Sequence, residues 1–325
     1  MPSLLIKRRV EKLLTHFRSA PTVRWKPRGC FENQNLHPSL LLMTPWNQVT
    51  IVGVGLVGGS LGLALKRYGL TRHVVGVGHR QASLDEARSL SAADETTLDP
   101  AAGASGSDLV VLATPVGRFR EVFEQVVSVL QPGTVVIDVG STKAAVVAAL
   151  EPLVPAGAVF VGCHPIAGSE QRGVAYARAD LFEGATCVVT PTERTPREAL
   201  ERVMATWQAV GMTVRVLSPT MHDRLLAEVS HLPHAVAAAL VLAISRDAEL
   251  LVGPGWADTT RVASGDAVLW RDILLTNADE VAAALERFQG TLAALRSALR
   301  KKDAARIEAL LAESKARRDR LTSKR

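Results

Sequence analysis

The sequence predicts an α/β protein: a Rossmann-like, doubly wound N-terminal domain followed by an all-helical C-terminal domain. Three observations carry this. Short apolar, β-branched runs alternate with helical stretches from Gln48 to Leu217, the pattern of βαβ units and a parallel sheet. The first run ends in glycines and opens a helix, and after Pro219 the strand-like runs stop. A length of 325 residues also suits two domains better than one.

Taken in order, Val49-Thr50-Ile51-Val52 reads as a buried strand, and a helix runs from Gly59 to Tyr68, ended by Gly69. His73 to Val77 is the second strand and Leu84 to Leu90 the second helix. Asp108 to Ala113 is the third strand, Val116 to Leu130 a helix, and Pro132-Gly133 a turn. Thr134 to Asp138 is the fourth strand, Lys143 to Leu150 a helix, and Ala158 to Gly162 the fifth strand. A further apolar segment spans Ala185 to Thr190, then a helix Pro196 to Val210 and a strand Thr213 to Leu217. Met221 to Ser245, Asp266 to Thr276, Ala278 to Leu299 and Ala304 to Leu321 all read as helices. The expected organisation is a basic extension over 1–45, without order of its own, a dinucleotide-binding domain over 46–218, and a helical substrate and dimerisation domain over 219–325 with a charged tail.

Hydrophobic residues make up 47% and charged residues 22%, enough to bury a real core. The net charge of +6 invites a nucleic-acid reading, but its location argues against one. Residues 1–45 carry +6, residues 290–325 carry +7, and the stretch between carries −7. Basicity confined to the ends fits solvated tails rather than a groove. The three cysteines, Cys30, Cys163 and Cys187, form no CxxC pair and fit a reducing cytoplasm. No apolar run is expected to span a membrane. Lys7-Arg8-Arg9 is followed by no apolar signal core, so the first residues read as an extension, or as a start upstream of Met43. A transit segment is the other reading.

Gly53-Val54-Gly55-Leu56-Val57-Gly58 is a G-x-G-x-x-G between a strand and a helix, the context that gives this motif meaning. Gly53 permits the turn, Gly55 lets backbone approach a pyrophosphate, and Gly58 allows close helix–strand packing. The opening of the helix at Leu56 and Val57 meets the phosphates with free N–H groups. A mere tight turn is the alternative. At the end of the second strand, the acid that would bind a ribose 2′-hydroxyl is replaced by Gly78-His79-Arg80. Arg80 can pair with a 2′-phosphate, so NADP is favoured over NAD; otherwise Arg80 simply opens the next helix in solvent.

Further segments point to chemistry. Asp138-Val139-Gly140-Ser141-Thr142-Lys143 follows the fourth strand and His164-Pro165-Ile166-Ala167-Gly168-Ser169-Glu170 the fifth. Ser230-His231-Leu232-Pro233-His234 sits in the first long helix of the second domain, with Asp258-Thr259-Thr260-Arg261 and Trp270-Arg271-Asp272 beyond it. With GxGLxGGS from Gly53 to Ser60 and Ala113-Thr114-Pro115, this series resembles the prephenate/arogenate (cyclohexadienyl) dehydrogenase family from about Gln48 to about Arg287. The resemblance implies a Rossmann-like domain and a helical, dimer-forming domain, acting on a small dicarboxylic cyclohexadienol in tyrosine biosynthesis. It implies His164 as the catalytic histidine and Ser141 as the serine that orients it. His234, Ser230 and Arg261 then contact substrate, Trp270 and Asp258 lie near that pocket, and Ser169 and Glu170 form a gate or wall. Thr114 and Pro115 join the dinucleotide site.

The chemistry is consistent with these residue types. A neutral histidine can take up a hydroxyl proton near pH 7 as hydride departs, and an arginine fork suits a carboxylate. Plainer readings stand beside each assignment. His164 can be a loop histidine, His231 a helix-surface residue, and Arg261 a surface partner of Asp258 or Asp266; Cys163 and Trp270 can be core. His231 and His234 have a spacing open to metal, but Pro233 and the lack of a nearby acid or cysteine cluster argue against zinc. The rivals are a β-hydroxyacid dehydrogenase or pyrroline-carboxylate reductase, which need a differently placed Lys or Ser/Thr, and a non-catalytic nucleotide-sensing module.

Overall fold

The computed structural model describes residues 44–169 and 171–323. The expected basic extension therefore lies, through residue 43, outside the described residues, as does Glu170.

Among the described residues eight strands form one sheet: β1 (Trp46–Val52), β2 (Thr71–Val77), β3 (Glu95–Thr97), β4 (Leu109–Leu112), β5 (Val135–Asp138), β6 (Val159–Ile166), β7 (Thr186–Thr190) and β8 (Thr213–Val216). Their order is β3-β2-β1-β4-β5-β6-β7-β8. β1 to β6 run parallel, in the order of a doubly wound dinucleotide fold. Alternate residues feed opposite layers: Leu109 and Val111 of β4 join one buried cluster, Val110 and Leu112 the other. Burial on both faces is why β4 reads as a continuous apolar run rather than an alternating one.

The expected parallel βαβ pattern holds from β1 to β6 and ends at the far edge. β7 pairs antiparallel with β6, and β8 parallel with β7. A parallel crossover needs a helix to carry the chain back, whereas the link from β6 to β7 holds only a short 3₁₀ turn at Val174–Tyr176. That turn packs on the dinucleotide helix, where a Cβ on Gly59 would meet Val174 at 2.9 Å.

The helices are α1 (Leu56–Arg67), α2 (Gln81–Ser89), α3 (Pro100–Ala104), α4 (Phe119–Val126), α5 (Ala144–Leu150), α6 (Arg197–Ala209), α7 (Pro219–Leu226), α8 (Leu232–Ala243), α9 (Pro254–Thr260), α10 (Ala267–Thr276), α11 (Ala278–Lys301) and α12 (Ala304–Thr322). Short β3, α3 and α9 escaped the sequence pattern. The expected helix Val116 to Leu130 opens and closes in 3₁₀ turns. The expected helix Met221 to Ser245 is α7 and α8 joined through a π turn, Ala227–His231. Contrary to expectation, Pro219–Ala243 is a helical run long and apolar enough to cross a membrane, with mean hydropathy 1.6 in its most apolar window. It nevertheless buries His222, Asp223, His231 and His234 against protein. α10 anchors the helical half on the sheet domain: Ile273 joins the core cluster of Val110, Phe119 and Phe123, and Asp272 packs where a Cβ on Gly117 would sit.

Candidate active site

β1, β4, β5 and β6 are parallel neighbours, so their carboxyl ends lie along one edge of the sheet, where an open α/β sheet binds its ligands. At β1 the glycines do what spacing requires. Gly53 has φ +109, and a Cβ there would meet the Ala113 carbonyl at 2.6 Å. A Cβ on Gly58 would lie 2.1 Å from the Gly53 oxygen, while the space around Gly55 is open to 4 Å. Gly55 caps α1 without any side-chain hydrogen bond, so the N–H groups opened at Leu56 and Val57 are available to an anion. Beside them the Thr114 hydroxyl is buried without a partner among the described residues, and Pro115 is exposed. An open glycine cradle with an unpaired hydroxyl at its wall fits a dinucleotide pyrophosphate. Across the cradle, Gly78 packs on Leu84, and His79 and Arg80 are exposed at the end of β2. Arg80 occupies the N-cap position of α2 and has no carboxylate partner among the described residues.

The loop after β5 is fastened from below. Asp138 is fully buried; its Oδ2 accepts from the Gly140 amide at 2.8 Å and its Oδ1 from the Cys163 amide at 3.0 Å. The ammonium of Lys143, also fully buried, closes a hydrogen-bonded ion pair with Oδ2. One carboxylate thus ties the turn carrying Ser141 to the strand carrying His164. Ser141 itself is half-buried.

His164 is 8% exposed, and its Nδ1 lies 2.8 Å from Nε2 of His222. The His222 Nδ1 lies 2.7 Å from Oδ1 of Asp223. Asp223 also accepts from the amides of Lys143 at 2.7 Å and Ala144 at 2.8 Å, capping α5 across 80 residues of sequence. Burial, followed by the charges of His222, Lys143 and His231, holds the His164 imidazole well below the usual histidine range. Burial also lowers His222, opposed by its bond to Asp223. Cys163 is a buried strand residue.

In the helical half, His234 stacks on Trp270, ring centroids 3.5 Å apart, and its buried Nε2 has no partner among the described residues. Gly265 lies against both: a Cβ there would meet the Trp270 Nε1 at 2.6 Å and the His234 Nε2 at 2.8 Å. Burial, against a bond to the Val262 backbone, lowers the His234 imidazole. His231 is not a surface residue. The π turn brings it to 0% exposure, burial pushes it down to about 4, and Asn277 contacts its Nδ1 at 3.1 Å. Ser230, one residue earlier in that turn, is half-buried. Arg261 is exposed and opens the 3₁₀ turn Arg261–Ser264. Asp266, one of the surface partners expected for Arg261, pairs with Arg172. Asp258 is exposed on α9. Ser169 is exposed, its Oγ accepting from the Gln171 amide at 3.2 Å.

Sequence reading missed His222 and Asp223. A signal existed: His222 and Asp223 fall in the same apolar helical segment as His231 and His234, where a buried carboxylate needs a partner.

A Rossmann sheet with a glycine cradle, and a buried histidine at the end of β6 facing a helical half, define a nicotinamide-dinucleotide-dependent dehydrogenase. Comparison with known proteins narrows this. Residues 61–216 match the family described as prephenate dehydrogenase, nucleotide-binding domain, and residues 218–313 match prephenate dehydrogenase, dimerization domain. The chain is 32% identical to the cyclohexadienyl dehydrogenase of Zymomonas mobilis over 80% of its own length and 91% of that protein. It is 33% identical to the prephenate dehydrogenase of Bacillus subtilis over 74% of its length, but spans only 66% of that relative. Its structure is similar to prephenate dehydrogenase from A. aeolicus in complex with hydroxyphenyl propionate and NAD+, with a TM-score of 0.79 and 36% identity, covering 85% of this chain and 98% of that one. The chain belongs to the prephenate dehydrogenase family.

Proposed function

We propose that this enzyme oxidatively decarboxylates prephenate or arogenate, with His164 as the catalytic base. The observation that carries the reading is a buried imidazole at the carboxyl end of β6, its Nε2 without a partner among the described residues and its Nδ1 held by His222; burial keeps it below the usual histidine range. Bound nicotinamide supplies the hydride acceptor. His164 takes up the ring hydroxyl proton as the hydride leaves, and returns it once loss of CO2 has made the ring aromatic. Ser141, on the loop tied to the same strand, orients the imidazole and the hydroxyl. Aromatisation makes the reaction strongly downhill, so the protein's task is mainly positioning.

In this reading Arg261 binds a substrate carboxylate. His234 offers the unpartnered Nε2 beside Trp270 as a substrate contact, with Ser230 near it. Ser169, exposed after β6, is assigned to a gate or wall of the substrate pocket, a role the family resemblance also gives Glu170. Gly53, Gly55, Leu56, Val57, Gly58, Thr114 and Pro115 hold the dinucleotide. Residues 46–218 make the dinucleotide-binding domain and 219–325 the substrate and dimerisation domain. NADP is the preferred cofactor, supported by the exposed Arg80, which has no carboxylate partner among the described residues. A homodimer is supported by the apolar surface of the helical half: Leu242, Leu250 and Leu251 are each more than 85% exposed, more than a monomer usually leaves in water. A reducing cytoplasm suits the free thiols of Cys163 and Cys187.

The test is one assay crossing prephenate and arogenate with NAD+ and NADP+. Turnover of at least one substrate is expected, with NADP+ the better cofactor. Failure with both substrates would overturn the activity, and a clear advantage for NAD+ would overturn only the role of Arg80.

A further inference from the structure

We infer that Asp223 and His222 are positioning residues that fix the tautomer of His164, placing its proton on Nδ1 and its lone pair on Nε2. The inference rests on the reading of His164 as the base.

A hydrogen-bonded chain runs from Asp223 through His222 to His164. Asp223 receives two backbone N–H groups, from Lys143 and Ala144 at the start of α5. Amide donors at a helix N-terminus favour the carboxylate anion, which can only accept. The ring atom facing it at 2.7 Å, Nδ1 of His222, must therefore donate. His222 is fully buried, with Lys143, Asp138 and His231 as its other ionisable neighbours. Burial and Lys143 disfavour a second proton on it, so its Nε2 carries a lone pair. That lone pair lies 2.8 Å from Nδ1 of His164, which must then be the donor. Only Nε2 of His164 is left to accept a proton.

The carboxylate is itself held rigidly. Asn277 donates from Nδ2 to the Asp223 backbone oxygen at 2.8 Å, a carbonyl that fixes which end of the amide points there. The same chain spreads positive charge once Nε2 is protonated: Nδ1–H of His164 points at His222, whose own N–H points at the anion. The N–H bond formed at Nε2 and the O–H bond broken on the substrate balance without any further reactant.

The decisive measurement is ring-nitrogen NMR on histidine-labelled full-length enzyme with bound NAD+, with His164 assigned through His164→Asn. The expected result is a His164 ring protonated at Nδ1 above its titration. A ring protonated at Nε2 overturns the inference, whatever the variants do. In kinetics, His222→Phe should lower kcat about 10²-fold, the usual size of an acid–base contribution, with substrate and cofactor KM unchanged. His222→Gln, which can again accept from His164 and donate to Asp223, should recover part of the loss. A merely structural role would show no such recovery. Full activity in His222→Phe alongside an inactive His164→Asn would sink the relay and leave the function standing; an active His164→Asn would sink the functional reading instead.

Discussion

At the proposed dinucleotide end of the site the chain offers backbone: a turn at Gly53, an open face at Gly55 and an uncapped helix start. At the proposed substrate end it offers buried side chains: Asp138 with Lys143, Asp223 with His222 and His164, and His234 on Trp270. A backbone site needs only small residues at fixed spacing, so it tolerates change elsewhere. A side-chain site depends on each group finding its partner over distances of up to 80 residues, and losing one leaves another unpaired in a low dielectric. The second end should therefore be the fragile one, in stability as in rate.

The sharpest way to break this comparison is to remove one member of the buried ion pair. Lys143→Ala should cost about 3–5 kcal/mol of stability, because it leaves the Asp138 carboxylate buried and uncompensated; chemical denaturation measures it. A cost near zero would mean the substrate end is not held by its side chains. Acid is the next lever. An unfolded histidine titrates near 6.5 and His231 in the fold at about 4, so its stabilising contribution is intact above 6.5. As pH falls from 6.5 to 4 the unfolded chain binds the proton first, and roughly 3 kcal/mol is lost from this one group. His164, His222 and His234 shift in the same direction and add to the loss. A thermal melting point that stays level across that window would contradict the burial of these rings.

Turnover offers a third lever. His164→Asn should lower kcat by about 10² or more while dinucleotide affinity, set by backbone at the other end, stays near that of the parent; stopped-flow titration and steady-state rates separate the two. The smallest expected effect is at the exposed Arg261. Arg261→Gln should raise substrate KM by about tenfold with little change in kcat, the signature of a lost binding contact. An unchanged KM would remove it from the substrate site.

The same contrast explains what could be read from sequence. The glycine cradle was legible because its determinants lie within Gly53 to Gly58 and obey a fixed spacing. β4 and β5 were legible because burial on both faces leaves uninterrupted apolar runs. β3 was not, since Glu95-Thr96-Thr97 is polar and gains its place only by pairing with β2. The reversal at β7 was hidden because an apolar run does not record its direction. At the substrate end, the motifs flagged His164 and His234, but nothing local ties His222 to His164, which lies 58 residues away. Nor does periodicity show that the chain inserts a π turn at the serine and first histidine of Ser230-His231-Leu232-Pro233-His234.

That turn has a consequence for everything beyond it. A π turn holds one more residue than an α turn, and each residue of an α-helix advances the face by roughly 100°. The phase of α8 is therefore displaced by that angle from a plain continuation of α7, and the displacement aims His234 at the indole of Trp270. Shortening the chain by one residue within 227–231 would restore the regular pitch. It would also swing His234 around the helix axis, so that an edit far from the cradle, keeping every named side chain, would disassemble the substrate end alone.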